Sequence, residues 1–250
     1  EYQMKRINQT QVKPEIGLTF ANGLRSLVRQ DPDIVMVGEI RDSETVGLAI
    51  NAALTGHLVL STLHTNSAAG AIPRLIDMGA ESFLLVSTIN VIIAQRLIRK
   101  LSDTKEKYIL SASEKKALED NVDLERVLSF LKKEKVVKEK DDWSTIPFYR
   151  PKKGLPAARL QGRGQTPKAS AQAGANSTAG EDDGYSGRIG IHEVFAMSGA
   201  IKNMVMKGTT TDEIEAEAKK EGMLTMIEDG IFKAAQGITS IEEVLRVATQ

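Results

Sequence analysis

The chain has 250 residues with 33 basic and 33 acidic side chains, so its formal net charge is zero and no global field attracts nucleic acid or an acidic membrane. It contains no cysteine, which excludes disulfides and thiolate metal sites. The start of the chain is polar and does not resemble a signal peptide, and the most apolar stretch, residues 83–94, is shorter than the roughly 20 residues of a membrane helix. These features predict a soluble, cytoplasmic protein.

Two short apolar runs with a helical pattern between them organise the first part of the chain. The runs, Ile34–Val37 and Leu58–Leu60, are typical of strands buried on both faces of a parallel sheet. Between them, residues 43–54 carry apolar side chains at helical spacing, and Gly56 stands where a helix would end. The order strand, helix, strand predicts a crossover connection and an α/β core.

The middle of the chain changes character twice. Residues 102–142 are charged and helical in pattern, with capping-box spacing at Ser111–Glu114. Residues 151–183 contain no Val, Ile, Phe or Trp. Such a composition cannot bury enough apolar surface to offset the entropy of ordering, so we expect a disordered, low-complexity insertion.

The last part of the chain predicts a strand and then helices. The strand covers Arg188–Phe195, and capping-box spacing recurs at Thr210–Glu213 and Ser240–Glu243. Gly237 stands between the two as a helix-ending residue.

An acidic residue follows the first predicted strand. Gly38 and Glu39 come directly after Ile34–Val37, and ligands of open α/β sheets bind beyond the carboxyl ends of the strands. A carboxylate there can hold a metal-bound water or polarise the water that attacks a phosphate, and Gly38 leaves room for such a ligand. The alternative is an ordinary strand followed by a solvated acidic turn.

Polar residues also follow the second predicted strand. Thr62 and His64 belong to a run of hydroxyl, imidazole and amide groups suited to reading a phosphate by hydrogen bonds. His57 precedes the strand and lies a strand length away, where a structural role is equally reasonable. Arg74 and the cluster at Arg96 and Arg99 are interpreted as solvated helix faces, unless the protein assembles as a ring.

Taken in order, these motifs resemble the secretion ATPase superfamily, which includes type II secretion ATPases, type IV pilus assembly ATPases and pilus retraction ATPases. The resemblance covers nearly the whole chain. Its motifs are the end of an Asp box at Glu1-Tyr2 and Gln9–Val12, a Walker B segment at Leu27–Asp42, a His box at Gly56–Asn66, Gln95–Leu97, Gly184–Glu193, Glu221–Met223 and Gly237–Arg246.

The resemblance implies a partial RecA-like core with a parallel or mixed sheet, followed by a small, mostly helical C-terminal subdomain. Glu39 would be the Walker B glutamate, and Glu1 the last Asp-box acid near the attacking water or magnesium. His64 would sense the γ-phosphate together with Thr62. His57 would be a structural or coupling residue. Arg41 and Asp42 would brace the Walker B strand.

The resemblance also implies domains and cofactors. Residues 1–101 would be the C-terminal half of the ATPase core, 102–193 the small subdomain with the insertion at 151–183, and 194–250 the C-terminal helices. ATP and Mg²⁺ would be the cofactors. The chain lacks both the phosphate-binding Walker A loop and an initiator Met, so we expect part of a longer protein that is inactive alone. Many relatives bind zinc through two Cys-x-x-Cys pairs, which are absent here near Ser102–Lys105 and Ser177–Gly180, so no zinc is expected.

The implied function is a motor ATPase of type IV pilus assembly or type II secretion. It would act as a homo-hexamer, peripheral to the inner membrane on the cytoplasmic side. It would contact an inner-membrane platform protein and a membrane-associated adaptor, without nucleic acid. The alternatives are a pilus retraction ATPase and a non-catalytic docking module derived from such a motor. A nucleic-acid translocase is disfavoured by the balanced charge.

Overall fold

The computed structural model describes residues 3–120, 122–152 and 183–248. Contacts divide the chain into two compact units: Glu1–Ala94 with Glu193–Met223, and Gln95–His192 with Leu224–Gln250. The strands are β1 (Ile34–Val37), β2 (Leu58–Ser61), β3 (Val91–Leu101), β4 (Lys105–Ile109), β5 (Pro147–Pro151) and β6 (Tyr185–Ala196). The α-helices are α1 (Phe20–Leu27), α2 (Ser43–Leu54), α3 (Ala71–Asp77), α4 (Ser82–Thr88), α5 (Ala112–Glu119), α6 (Leu124–Lys133), α7 (Gly199–Met206), α8 (Thr211–Lys220), α9 (Met226–Ala235) and α10 (Ile241–Ala248).

The predicted α/β arrangement is present in the first unit. Strands β1 and β2 pair in parallel, from Ile34 opposite Leu58 to Val37 opposite Ser61, and α2 connects them. The predicted end of α2 is also correct, because Gly56 adopts φ +102° directly after the helix. Helices α1 and α2 pack beside the pair and bury Val35 and Val37 in a common apolar core.

The opposite face of the β1–β2 pair is open. Its four large apolar side chains remain between 49% and 67% exposed: Ile34, Met36, Leu58 and Leu60. The expectation that these strands are buried on both faces is therefore wrong, because the described elements of this unit cover only one face. We call these four side chains the open sheet face.

A second apolar cluster completes the first unit, and it joins distant parts of the sequence. We call it the Phe195 cluster; it consists of Ala68, Ala69, Ile72, Phe195, Met197, Ile201, Val205, Ile214, Ala218 and Met223. Helix α8 begins with the predicted capping box, in which Thr210 and Glu213 bond to each other's backbone N–H. The first unit is therefore complete only when residues 193–223 pack against residues 68–72.

The second unit contains an antiparallel pair of strands and four helices. Strands β4 and β5 pair from Lys105 opposite Pro151 to Ile109 opposite Pro147. Strand β4 lies within residues 102–142, which were predicted to be helical, because its Lys-rich sequence has no strong apolar alternation. Strand β5 lies beyond that block and was not predicted. The core of α5, α6, α9 and α10 closes around Trp143 and Phe148, whose rings stack with centroids 6.2 Å apart. The predicted capping box of α5 is present at Ser111 and Glu114.

Two long strands differ from the sequence-based expectation. Strand β6 pairs with β3 and extends beyond the predicted Arg188–Phe195 at both ends. Arg96 and Arg99 lie in β3, so their interpretation as a solvated helix face is wrong. Arg96 Nη1 donates to the carbonyl oxygen of Val247 at 2.5 Å, and Arg99 pairs with Glu243 at 2.8 Å.

Most of the segment 151–183 lies outside the described residues, so its predicted disorder stays a prediction. The predicted domain limits at residues 101 and 193 also stay predictions. None of the helices in the described part of the chain combines the length and apolar character that crossing a membrane requires.

Candidate functional site

The site centres on Glu39, which lies just beyond the carboxyl end of β1. Its side chain is 15% exposed, whereas those of its two neighbours, Arg41 and His64, are 70% and 83% exposed. Arg41 Nη2 lies 2.5 Å from Oε2 of Glu39, and Nε2 of His64 contacts Oε1. Parallel pairing thus brings together Glu39 and His64, as expected from their positions after two neighbouring strands.

The charge of Glu39 is stabilised by these neighbours. The hydrogen bond from Arg41 holds the pKa of the Glu39 carboxyl below its usual value, and the nearby His64 lowers it further, against the opposing effect of burial. Glu39 is therefore ionised at neutral pH. Its Oε1 atom is buried and, apart from the contact with His64, receives no hydrogen bond from the described residues. An ionised oxygen whose one hydrogen-bonding neighbour is an exposed side chain is suited to accept from a water molecule or to bind a cation when that side chain turns away.

Thr62 and Gly38 join the ends of the two strands. The Thr62 hydroxyl donates to the carbonyl oxygen of Gly38 at 2.6 Å, and the Ile40 backbone N–H donates to the carbonyl oxygen of Thr62 at 3.1 Å. A Cβ atom at Gly38 would lie 3.8 Å from the Phe20 ring, which is an ordinary contact. The described residues around Gly38 therefore leave room for a side chain.

Asp42 fixes the start of the helix that follows the site. Its carboxylate oxygens accept from the Thr45 backbone N–H at 2.8 Å and from the Thr45 hydroxyl at 2.9 Å, which caps α2. This cap sets where the chain turns after Arg41. The supporting position predicted for Asp42 thus corresponds to a local structural contact.

Of the two other predicted residues, His57 is not part of this cluster. His57 lies at the opposite end of β2, where its Nδ1 is 2.9 Å from the carbonyl oxygen of Ala52 at the end of α2. Because a carbonyl oxygen only accepts, Nδ1 carries the proton, and the contact ties the helix end to the strand. Glu1 lies outside the described residues, so its proposed place beside the site stays a prediction.

The oxygen donors fit a magnesium site that a nucleotide would complete. Mg²⁺ is commonly held by one or two carboxylates together with substrate phosphates and water, and Glu39 offers one ionised carboxylate. Within the described ranges, no group of three or more His, Cys, Asp or Glu side chains could hold a metal ion by itself.

One contact near the site was missed in the sequence. Glu193 on β6 is buried, and its Oε2 accepts from the backbone N–H of Ala68 at 2.9 Å, in the segment that follows His64. The sequence does contain a signal for it. In the alternating pattern of β6, Glu193 occupies the same buried face as Ile191 and Phe195, where a charged side chain needs a partner.

Comparison with known structures first defines the class of fold. The chain resembles the ATPase DotB of Yersinia pseudotuberculosis with a TM-score of 0.55 and 18% identity, over 97% of this chain and 43% of that one. It resembles the pilus retraction motor PilT with bound ADP with a TM-score of 0.51 and 22% identity, over 91% and 43% of the two chains. At such identities the likeness concerns the fold alone, and it confirms the α/β, RecA-like fold class expected from the sequence.

Comparison of sequences then defines the family. The family model for type II/IV secretion system proteins matches residues 1–246, and the chain belongs to that family. It is 48% identical over 248 residues to the type II secretion system protein E of Xanthomonas campestris, covering 99% of this chain and 36% of that protein. It is 42% identical over 245 residues to the type IV pilus assembly ATPase PilB of Thermus thermophilus, covering 98% and 23%. The chain thus spans only about a quarter to a third of the length of these relatives.

Proposed function

We propose that the whole protein is a motor ATPase of a type II secretion system or of type IV pilus assembly. We further propose that this chain contains the edge of the sheet at which ATP is hydrolysed. The observation that carries the proposal is the contact of ionised Glu39 with His64 at the carboxyl ends of two parallel strands. Relatives at 48% and 42% identity are a secretion protein E and a pilus assembly ATPase, which favours these machines over pilus retraction.

In the proposed mechanism, Glu39 orients the attacking water. Its Oε1 accepts a hydrogen bond from that water, while Arg41 holds Oε2 and keeps the carboxylate ionised. ATP with Mg²⁺ would supply the phosphoanhydride bond and neutralise phosphate charge. Catalysis of phosphoryl transfer rests mainly on such positioning and electrostatic stabilisation.

His64 would connect the nucleotide to the second strand. Its imidazole is 83% exposed and contacts Glu39, so it is free to turn from the carboxylate towards a phosphate. The hydrogen bond between Thr62 and Gly38 ties the ends of the two strands, so a change at His64 would reach the backbone beside Glu39. Gain and loss of the γ-phosphate would thereby be transmitted to the strand ends.

The open sheet face supports the proposal that residues 1–101 are one half of a larger core. Apolar side chains that are half exposed or more on one face of a strand pair favour packing against another element. The occupant we propose is the upstream part of the same protein, since the relatives extend well beyond the matched region. That part would also bring the Walker A loop, so we propose that these 250 residues alone bind ATP weakly and do not hydrolyse it.

The partners and location of the whole protein follow from the same proposal. It would form a homo-hexamer on the cytoplasmic side of the inner membrane, against a platform protein and a membrane-associated adaptor. Zinc would be absent, because the chain has no cysteine. The alternative is a non-catalytic docking module.

The test is Glu39→Gln in the full-length protein. We expect turnover of ATP to fall by about 10²–10⁴-fold, because the neutral amide cannot polarise the water, while nucleotide binding is retained. Turnover is measured by phosphate release and binding by titration with a fluorescent nucleotide. The matched control is Glu44→Gln, which removes another carboxylate paired with an arginine, Arg25, and should leave turnover unchanged. Full turnover in Glu39→Gln would contradict the proposal, and a wild-type protein that binds but never hydrolyses ATP would favour the docking module.

A further inference from the structure

A buried carboxylate holds the segment that follows the predicted phosphate-sensing residue. Glu193 is 8% exposed on β6, and its Oε2 accepts from the backbone N–H of Ala68 at 2.9 Å. A hydrogen bond between an ionised acceptor and a backbone N–H is stronger and more directional than one between neutral groups. The contact joins two parts of the first unit that are far apart in the sequence.

The surroundings of this contact are apolar. Ala68 and Ala69 are each 1% exposed, and both belong to the Phe195 cluster. Burying a carboxylate in such a place costs free energy unless it is hydrogen-bonded, and an apolar side chain would fill the space without that cost. Packing alone therefore does not explain an acidic residue at position 193, and its hydrogen bond with Ala68 fixes the direction of that backbone N–H.

The segment between His64 and α3 is short and internally bonded. The Thr65 hydroxyl donates to the carbonyl oxygen of Ser67 at 3.1 Å, and the Gly70 backbone N–H donates to the Ser67 hydroxyl oxygen at 3.2 Å. These hydrogen bonds restrict the backbone between Thr65 and Gly70, which contains Ala68 and begins directly after His64. His64 itself is 83% exposed, so its position depends on its backbone more than on side-chain packing.

We propose that Glu193 is a positioning residue, which sets the place of His64 relative to Glu39 by holding the backbone at Ala68. This inference rests on the proposed function, since it assigns Glu193 to the same site. It differs from a purely structural role in one respect: loss of Glu193 should act on turnover through His64.

The test uses three substitutions at position 193 in the full-length protein. Glu193→Ala removes the acceptor oxygen. Glu193→Asp keeps a carboxylate, but its side chain is one methylene shorter and its oxygens lie farther from the Ala68 N–H. Glu193→Gln keeps an acceptor oxygen on a side chain of the same length. We expect kcat for ATP to fall about 10–100-fold in the Ala and Asp variants with KM changed less than about threefold, because small misplacements of catalytic groups have effects of this size. Glu193→Gln should retain kcat within about fivefold.

A double substitution separates positioning from stability. In a His64→Ala background, Glu193→Asp should cause no further loss of turnover, because residues that act as one unit are not additive. A structural role would lower turnover in both backgrounds. The matched control is Met197→Ala in the Phe195 cluster, which should lower the unfolding temperature and leave kcat unchanged.

The outcomes distinguish the two proposals. A wild-type protein without ATP hydrolysis overturns the proposed function. Loss of turnover in His64→Ala together with wild-type kcat in Glu193→Asp overturns the positioning role alone. Should Glu193→Ala not fold, Glu193→Asp and Glu193→Gln carry the comparison, and equal kcat in these two variants also contradicts the inference.

Discussion

Two glutamates, Glu39 in the first unit and Glu243 in the second, pair with arginine side chains in different surroundings. Glu243 on α10 is fully buried, and its oxygens accept from Arg99 at 2.8 Å and from Arg246 at 2.7 and 2.9 Å. Burial opposes its ionisation, but the hydrogen bonds from Arg246 and Arg99 outweigh burial and lower the pKa of Glu243 to about 2. The backbone N–H of Arg99 adds a further hydrogen bond at 3.0 Å.

Glu39 is held more loosely. Its partners Arg41 and His64 are mostly exposed, and apart from His64 its Oε1 receives no hydrogen bond from the described residues. A carboxylate whose acceptor capacity is filled by the protein stabilises the fold, whereas one with unfilled capacity remains available to a ligand. Glu39 and Glu243 thus both pair with an arginine but differ in how fully the described residues satisfy their oxygens.

The largest effect on stability is expected from breaking the buried pair. Arg99→Ala removes one of the two arginines that pair with buried Glu243 and leaves Arg246 as the other. Breaking a buried pair costs about 3–5 kcal/mol, and because Arg246 remains and Arg99 is partly exposed we expect a loss of about 3 kcal/mol of the free energy of unfolding. The matched control is Arg41→Ala beside Glu39, which should not shift the denaturation midpoint because its side chain is 70% exposed. Urea denaturation of both variants measures the difference, and equal destabilisation would remove the contrast between the two sites.

A second experiment addresses the open sheet face. Leu60→Asn should have little effect on the stability of the 250-residue chain, because Leu60 is 49% exposed there. In the full-length protein we expect a loss of about 2–3 kcal/mol, since burying an unpaired amide is costly. Val35→Asn, on the covered face, is the control that should destabilise both forms. If Leu60→Asn left the stability of the full-length protein unchanged, the open sheet face would have to be exposed there as well.

The smallest effect is expected from acid. Glu243 has a pKa of about 2 in the folded chain and 4.5 ordinarily, so its stabilisation is complete above about pH 4.5 and is lost as the pH falls towards 2. Because Arg99 and Arg246 are partly exposed, solvent screening reduces the loss to about 1–2 kcal/mol. Thermal unfolding between about pH 5 and pH 2.5 should therefore depend less on pH in Glu243→Gln than in the wild type. An identical pH dependence in the two proteins would contradict the assignment.

The sequence predicted the fold class, the ends of helices and the proximity of Glu39 and His64, but it did not predict every strand. Glu39 and His64 could be placed together because parallel strands end at one edge, and helix ends such as Gly56 could be found because a positive φ demands glycine. The strands β4 and β5 could not, because their stability comes from packing on distant helices and not from local alternation. The contact between Glu193 and Ala68 depends on tertiary structure that local patterns do not contain.

The discontinuous first unit has a consequence for synthesis on the ribosome. Residues 68–72 pack with residues 195–223, and the whole second-unit segment Gln95–His192 must be translated between them. At roughly 5–20 residues per second, that interval lasts on the order of 5–20 s. During this time the nascent chain exposes the apolar surface around Ile72, which makes this surface a natural target for chaperones until the C-terminal segment emerges.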